Sequence, residues 1–125
     1  MDDVRYIKLH NSGGFVTRIH LMYKLPKDDG HGNISYPAEF SEWKNHGYAD
    51  ICASAERTVD LLKDVDLSNG TVPDGTIVKL KATIPLGSAR EASEQYAFYS
   101  SSGKTASYNI SGTSLNAHLK LKSYG

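Results

Sequence analysis

The chain has 125 residues, and its 14 Lys and Arg residues balance its 14 Asp and Glu residues. A formal charge of zero removes the attraction on which binding to a phosphate backbone depends, so we expect no nucleic-acid partner. With 39% hydrophobic and 22% charged residues, the composition excludes a disordered chain, and no apolar run is long enough to span a bilayer. We expect one soluble domain over residues 1–125.

The only cysteine, Cys52, cannot form an internal disulfide, which favours a reducing compartment. Residues 1–5 are acidic and show none of the basic, apolar and small-residue regions of a signal peptide. The expected location is therefore cytoplasmic, or secreted without a recognisable signal peptide.

The first two predicted strands are residues 4–10 and 15–25. In the second, apolar and polar side chains alternate with the period of two of a half-buried strand. The intervening residues 11–14, Asn-Ser-Gly-Gly, favour a turn, so we predict a β-hairpin. The turn length leaves two registers open. In one, Ile7 and Leu9 share a face with Ile19 and Leu21; in the other, Val4 and Tyr6 share that face. We prefer the first register.

Residues 26–50 form the longest predicted loop. Turn-forming residues fill its first part, and aromatic side chains follow among polar ones. A short irregular strand is predicted at residues 40–44. The next segment, residues 53–65, fits either a helical face or a strand, and we predict a strand at 57–62 because its predicted neighbours are all strands.

The remaining predicted elements are also mainly strands. After turn signals at residues 66–75, the next strand is expected to bury Val78, Leu80, Ala82 and Ile84. Residues 88–93 are small and polar, and one turn of helix is predicted there. Three further alternating segments are residues 95–99, 105–110 and 115–121, the last two joined by Ser111-Gly112.

Seven or eight short strands without a sustained helical pattern are typical of an all-β fold. We therefore predict a single antiparallel β-sandwich domain, Ig-like or lectin-like in general architecture, although the paired cysteines of immunoglobulin domains are absent. In overall plan, the chain resembles small fungal and bacterial sandwich lectins and actinoporin-like proteins. The phosphocholine cluster and the N-terminal amphipathic helix of actinoporins have no counterpart, so no site residue is carried over.

The sequence contains no catalytic or metal-binding motif. It has no nucleophile elbow, no Gly-rich phosphate loop and no His-Glu-x-x-His. No metal-ligand spacing relates the five histidines, which are His10, His20, His31, His46 and His118. We therefore expect a non-enzymatic protein without a cofactor or a metal ion.

The most informative residues are the aromatic and amide side chains between residues 36 and 50. An aromatic ring covers the apolar face of a pyranose, while amide, imidazole and carboxylate groups bridge its hydroxyls. We therefore predict a lectin-like module that binds a carbohydrate or glycoconjugate, and its predicted ligand-binding residues are Tyr36, Trp43, Asn45, His46, Tyr48 and Asp50. The alternative is that Trp43 and Tyr48 plug one end of the core.

Two other functions remain open. Residues 105–111 alternate small polar with apolar side chains, as in a hairpin that enters a bilayer within an oligomeric barrel. The second hypothesis is thus a membrane-active, pore-forming toxin component. A membrane is not the favoured partner, because a membrane-spanning strand needs about 9–11 residues and this segment is shorter. The third is a structural subunit that binds a partner or forms a homo-oligomer through edge strands.

Overall fold

The computed structural model describes residues 1–45, 50–67, 70–85 and 87–125. All regular secondary structure in these ranges is strand, and eight of the strands have three residues or more, which confirms the predicted number. In chain order the strands are β1 (Asp3–Val4), β2 (Tyr6–Asn11), β3 (Thr17–Lys24), β4 (Lys27–Asp28), β5 (Ile34–Ser35), β6 (Ser41–Trp43), β7 (Asp50–Ile51), β8 (Glu56–Asp60), β9 (Asp66–Leu67), β10 (Gly70–Thr71), β11 (Ile77–Thr83), β12 (Arg90–Glu91), β13 (Tyr96–Phe98), β14 (Thr105–Thr113) and β15 (Asn116–Tyr124).

Most of these strands belong to two sheets that enclose a common core. Sheet I has the order β1-β13-β11-β3-β6, with β12 paired to β11 and β7 paired to β3. Sheet II has the order β15-β14-β2-β8, and the pairs β4-β5 and β9-β10 form separate ribbons. Neighbours are antiparallel except in the pairs β1-β13 and β14-β2. The fold is therefore the predicted all-β sandwich.

The core consists of the inward-facing side chains of both sheets. As the alternation predicted, β11 buries Val78, Leu80 and Ala82, and Ile84 is buried just beyond it. From sheet II, β14 contributes Ala106, Tyr108 and Ile110. The strands predicted at residues 40–44 and 57–62 are present as β6 and β8.

Two tyrosines join the sheets inside the core. The hydroxyl oxygens of Tyr96 on β13 and Tyr108 on β14 lie 3.0 Å apart in a buried site. Burial raises the pKa of both hydroxyls, so both stay protonated and one donates to the other. The Tyr96 ring also stacks on Tyr124 of β15, with 5.6 Å between ring centroids. Sheet I is thus linked to the two C-terminal strands of sheet II.

The predicted hairpin of residues 4–10 and 15–25 is wrong. Strand β2 pairs with β14 and β8 in sheet II, whereas β3 pairs with β11, β6 and β7 in sheet I. The chain crosses between the sheets at residues 12–16, so Ile7 and Ile19 face the same core from opposite sides. Alternation specifies which side chains are buried, and it does not specify which strand is the neighbour.

Two local predictions are also wrong. Instead of a helical turn, residues 88–93 contain β12, which pairs with β11. Arg90 Nε also donates to the Ala117 carbonyl oxygen of β15 at 3.0 Å, which holds the segment at the sandwich edge. The last hairpin turns at Ser114 and Leu115, because β14 continues through Gly112 to Thr113.

Candidate functional site

The predicted carbohydrate site centres on Trp43, which lies on β6. Trp43 pairs with the buried Leu21 of β3, so its indole lies on the inward side of sheet I. The indole is half-buried and packs against the core. It borders a narrow cavity of about 10 Å³ whose other walls are all apolar or aromatic: Leu21, Tyr23, Leu61, Val65, Leu67, Val72 and Val78. In this position the indole contributes to core packing.

Two further predicted residues, Asn45 and Asp50, contact the outer side of β3. The Asn45 backbone N–H donates to His20 Nδ1 at 2.9 Å, and Asp50 Oδ1 accepts from Arg18 Nε at 2.5 Å. His20 is only 8% exposed, and this burial lowers its pKa, against an opposing effect of Glu42. A neutral imidazole is the form that accepts the Asn45 hydrogen bond. Both predicted residues therefore interact with β3 itself.

Tyr36 lies on a different loop from Asn45 and Asp50. Its hydroxyl donates to the Gly75 carbonyl oxygen at 2.8 Å, and its ring is 40% exposed. His46 and Tyr48 lie outside the described residues. The carbohydrate site between residues 36 and 50 therefore stays a prediction.

Four loops lie at one end of the sandwich, which we call the loop end. They connect β2 to β3, β7 to β8, β11 to β12 and β14 to β15, and they comprise residues 12–16, 52–55, 84–89 and 114–115, of which Leu86 is not among the described residues. None of the four loops contains Asp, Glu, Lys, Arg or His. The four loops therefore contribute no charged side chain of their own, and the Arg90 guanidinium of β12 borders them through hydrogen bonds to Ser88 and Ala89.

Close contacts bring three of these loops together. The Gly14 N–H donates to the Gly112 carbonyl oxygen at 3.4 Å, which ties the first loop to the end of β14. Gly87 lies so close to the last turn that a Cβ at this position would be 2.5 Å from the Ser114 carbonyl oxygen. The loop end is therefore one continuous surface.

A buried asparagine attaches the remaining loop. The fully buried Asn11 uses its side-chain Nδ2 to donate to the carbonyl oxygens of Phe15 at 2.6 Å and Ile51 at 3.0 Å. Its Oδ1 accepts from the Gly13 N–H at 2.9 Å, and its own carbonyl oxygen accepts from the Ser54 N–H at 2.7 Å. The side chain and backbone of this one residue thus hold the first two loops of the loop end in place.

The loop end exposes apolar side chains. Leu115, in the two-residue turn of the β14-β15 hairpin, is 80% exposed, and Val16 is 37% exposed. At the opposite end of the sandwich the loops are charged instead, and they include Lys27, Asp28, Asp29, Lys63, Asp64 and Lys104. The loops at the two ends of the molecule therefore differ sharply in charge.

The loop end was not predicted from the sequence. Residue 115 was predicted to begin the alternating segment of residues 115–121, and the structure shows Leu115 exposed in the turn before β15. The usable signal was the absence of charge from four separate loops. It could not be recognised because the wrong hairpin hid the fact that these loops share one end.

Neither a cluster of metal-ligating side chains nor a membrane-spanning helix is present among the described residues. Within residues 1–45, 50–67, 70–85 and 87–125, no group of three His, Cys, Asp or Glu side chains is placed to hold a metal ion. In the same ranges, no helix has the length and apolarity needed to cross a membrane.

The sequence matches no protein-family model, and no curated protein is significantly similar to it. Among solved structures, the chain is similar to part of listeriolysin O (TM-score 0.48, 15% identity), wild-type pneumolysin (0.46, 17%) and the cytotoxin suilysin from Streptococcus suis (0.44, 12%). These alignments cover 94–95% of this chain and 22–23% of the toxins. The chain thus spans less than a quarter of their length, and similarity at this level does not identify a function.

Proposed function

We propose that this chain is a non-enzymatic, membrane-contacting module of toxin type and that the loop end is the surface that meets the lipid. The observation that carries the proposal is a set of adjacent loops without a charged residue, with Leu115 80% exposed at their tip. Contiguous exposed apolar surface rimmed by polar residues marks membrane or protein contacts. Of the two expected locations, this function requires the secreted one.

The free energies favour such a contact. Burying a leucine side chain away from water contributes about 1.5–3 kcal/mol. A charged residue at the centre of a spanning helix opposes insertion by about 2.5–3.5 kcal/mol, and the loop end carries none. Backbone N–H and C=O groups in loops still need water or other partners, so the contact stays at the headgroup boundary.

This form of contact does not require the hairpin insertion considered from residues 105–111. Strand β14 is a central strand, hydrogen-bonded to β15 on one side and β2 on the other, and its inward side chains are buried. Releasing it would break both pairings and expose the core. We therefore propose contact by an intact sandwich.

We prefer this function to carbohydrate binding around Trp43. That indole packs against the core, and the described predicted ligands Tyr36, Asn45 and Asp50 already contact other groups of the chain. The loop end, by contrast, offers side chains that only an external surface would cover.

The test is vesicle flotation with the variant Leu115→Ser. Losing the leucine contact should lower partitioning onto vesicles about tenfold, since each tenfold corresponds to about 1.4 kcal/mol. Ile34→Ser is the matched control, because Ile34 is 52% exposed but lies in the β4-β5 ribbon at the opposite end. Equal partitioning of the two variants, or no flotation of the wild type, would contradict the proposal.

A further inference from the structure

A polar groove lies along the strands on the outer face of sheet II, beside the loop end and not on it. It has a volume of about 320 Å³ and is lined by Lys8, His10, Glu56, Ser107, Tyr108, Lys122 and Ser123. This volume is in the range of sites that hold small organic ligands. The strand pairing places its central residues in adjacent positions on β2, β14 and β15.

The groove has an excess of positive charge. Its only carboxylate, Glu56, already lies 3.3 Å from Lys8 Nζ. Lys122 takes part in no salt bridge with any described residue, and the same holds for Lys120 on the same strand. A negatively charged ligand would therefore supply the ion-pair partner for Lys122.

The other face of the sandwich differs in this respect. On the outer side of sheet I, Lys79 pairs with Glu91 at 2.9 Å, and Lys81 pairs with Glu42. These two lysines are thus neutralised by their own chain, whereas Lys24 of β3 lies over the Phe40 ring, 4.6 Å from its centroid. On sheet II, by contrast, Lys120 and Lys122 have no carboxylate partner among the described residues.

The groove also contains hydrogen-bonding groups in fixed positions. His10 Nδ1 lies 3.0 Å from Asn109 Oδ1, and Asn109 is held in turn by Ser12 Oγ, 2.8 Å from its Nδ2. Because Nδ1 is occupied, Nε2 is the imidazole nitrogen that a ligand would meet. The hydroxyls of Ser107 and Ser123 border the same space. Such neutral polar groups suit the hydroxyls of a sugar.

We propose that this groove binds the acidic sugar of a surface glycoconjugate, with its carboxylate or sulfate beside Lys122 and Lys8 and its hydroxyls against the serines and His10. A lipid headgroup offers similar negative charge, but the position of the groove favours the sugar. Lys122 is seven residues beyond Leu115 along β15, which at about 3.3 Å per residue places it roughly 20 Å from the tip.

The choice of a glycan over a lipid rests on the proposed function, which sets the loop end against the membrane. An interfacial contact buries about 5–10 Å of a protein at the headgroup boundary. Lys122, roughly 20 Å from the tip, then remains in the water above the lipid headgroups. Sugars that project from the membrane reach this height.

The test measures binding of 3′-sialyllactose, a sulfated disaccharide and uncharged lactose by titration calorimetry. The wild type should bind both acidic sugars more tightly than lactose, and Lys122→Gln should weaken this binding on the order of tenfold. Lys63→Gln, which removes an exposed lysine at the opposite end, should leave it unchanged. Glu56→Gln should strengthen it, because the variant removes the carboxylate that competes for Lys8.

Four results would overturn the inference: no saturation by either acidic sugar below about 10 mM, equal binding of lactose, equal losses in Lys122→Gln and Lys63→Gln, or equally tight binding of inorganic phosphate. Weaker binding of Lys122→Gln to phosphatidylserine vesicles without sugar would reassign the groove to lipid. The Leu115→Ser variant should still bind soluble sugars but should lose vesicle binding. The two experiments therefore distinguish an error in the proposed sugar site from an error in the proposed membrane contact.

Discussion

Replacing Asn11 with alanine is expected to destabilise the fold by on the order of 3 kcal/mol. The side chain makes three hydrogen bonds in a fully buried site, to Phe15, Ile51 and Gly13. Each bond contributes about 0.5–1.5 kcal/mol, and a buried group left without its partner adds about 1–3 kcal/mol more. Urea denaturation measures the change as a lower free energy of unfolding.

The matched control for this variant is Asn116→Ala. Asn116 is exposed at the start of β15, and only its backbone N–H is hydrogen-bonded in this turn, to Thr113 Oγ1 at 3.2 Å. Its replacement should change the free energy of unfolding by no more than about 0.5 kcal/mol. A loss below about 1 kcal/mol for Asn11→Ala would mean that the loops it joins are held by other contacts.

Replacing Gly112 with alanine is expected to destabilise the β14-β15 hairpin and to displace Leu115. Gly112 has a φ of +94°, and a Cβ there would stand 2.3 Å from the Asn116 carbonyl oxygen. A left-handed conformation disfavours alanine by roughly 1 kcal/mol or more, and a clash with backbone adds about 1–3 kcal/mol. The free energy of unfolding should therefore fall by about 2–4 kcal/mol, and vesicle binding should fall with it.

Gly103→Ala is the control for the strain at Gly112. Gly103 lies in the loop before β14, and a Cβ at this position meets no atom within 4 Å. Its free energy of unfolding should match the wild type to within about 0.5 kcal/mol. If both glycine variants were equally stable, the hairpin that carries Leu115 would not depend on the close approach seen at Gly112.

Side-chain alternation was sufficient to predict the burial pattern of the long strands. In β11, period two alone identified the inward side chains Val78, Leu80 and Ala82. The same pattern could not show that β2 and β3 belong to different sheets, because both bury alternate residues in one shared core. Strand partners depend on contacts between distant segments, which a local pattern does not contain.

The sites illustrate the same limit. Asn11 was interpreted as part of a turn, and its acceptor at Ile51 is 40 residues away in the chain. The four uncharged loops were visible in the sequence one at a time, and they form a surface only through the topology. For Trp43 the sequence allowed either a core role or a binding role, and the structure shows the indole packed against the core.

The most direct test of the loop end uses the single cysteine of the chain as a reporter. Cys52 is exposed in one of the four loops, so an environment-sensitive fluorophore attached to it reports on the loop end. With wild-type sequence elsewhere, the account predicts a blue shift on adding vesicles and quenching by lipid-borne quenchers. The control variant combines Cys52→Ser with Ser101→Cys, which moves the label to an exposed loop at the opposite end. At residue 101 the label should report an aqueous environment both with and without vesicles. A label at residue 52 that stays in water while the label at residue 101 enters the lipid would contradict the account.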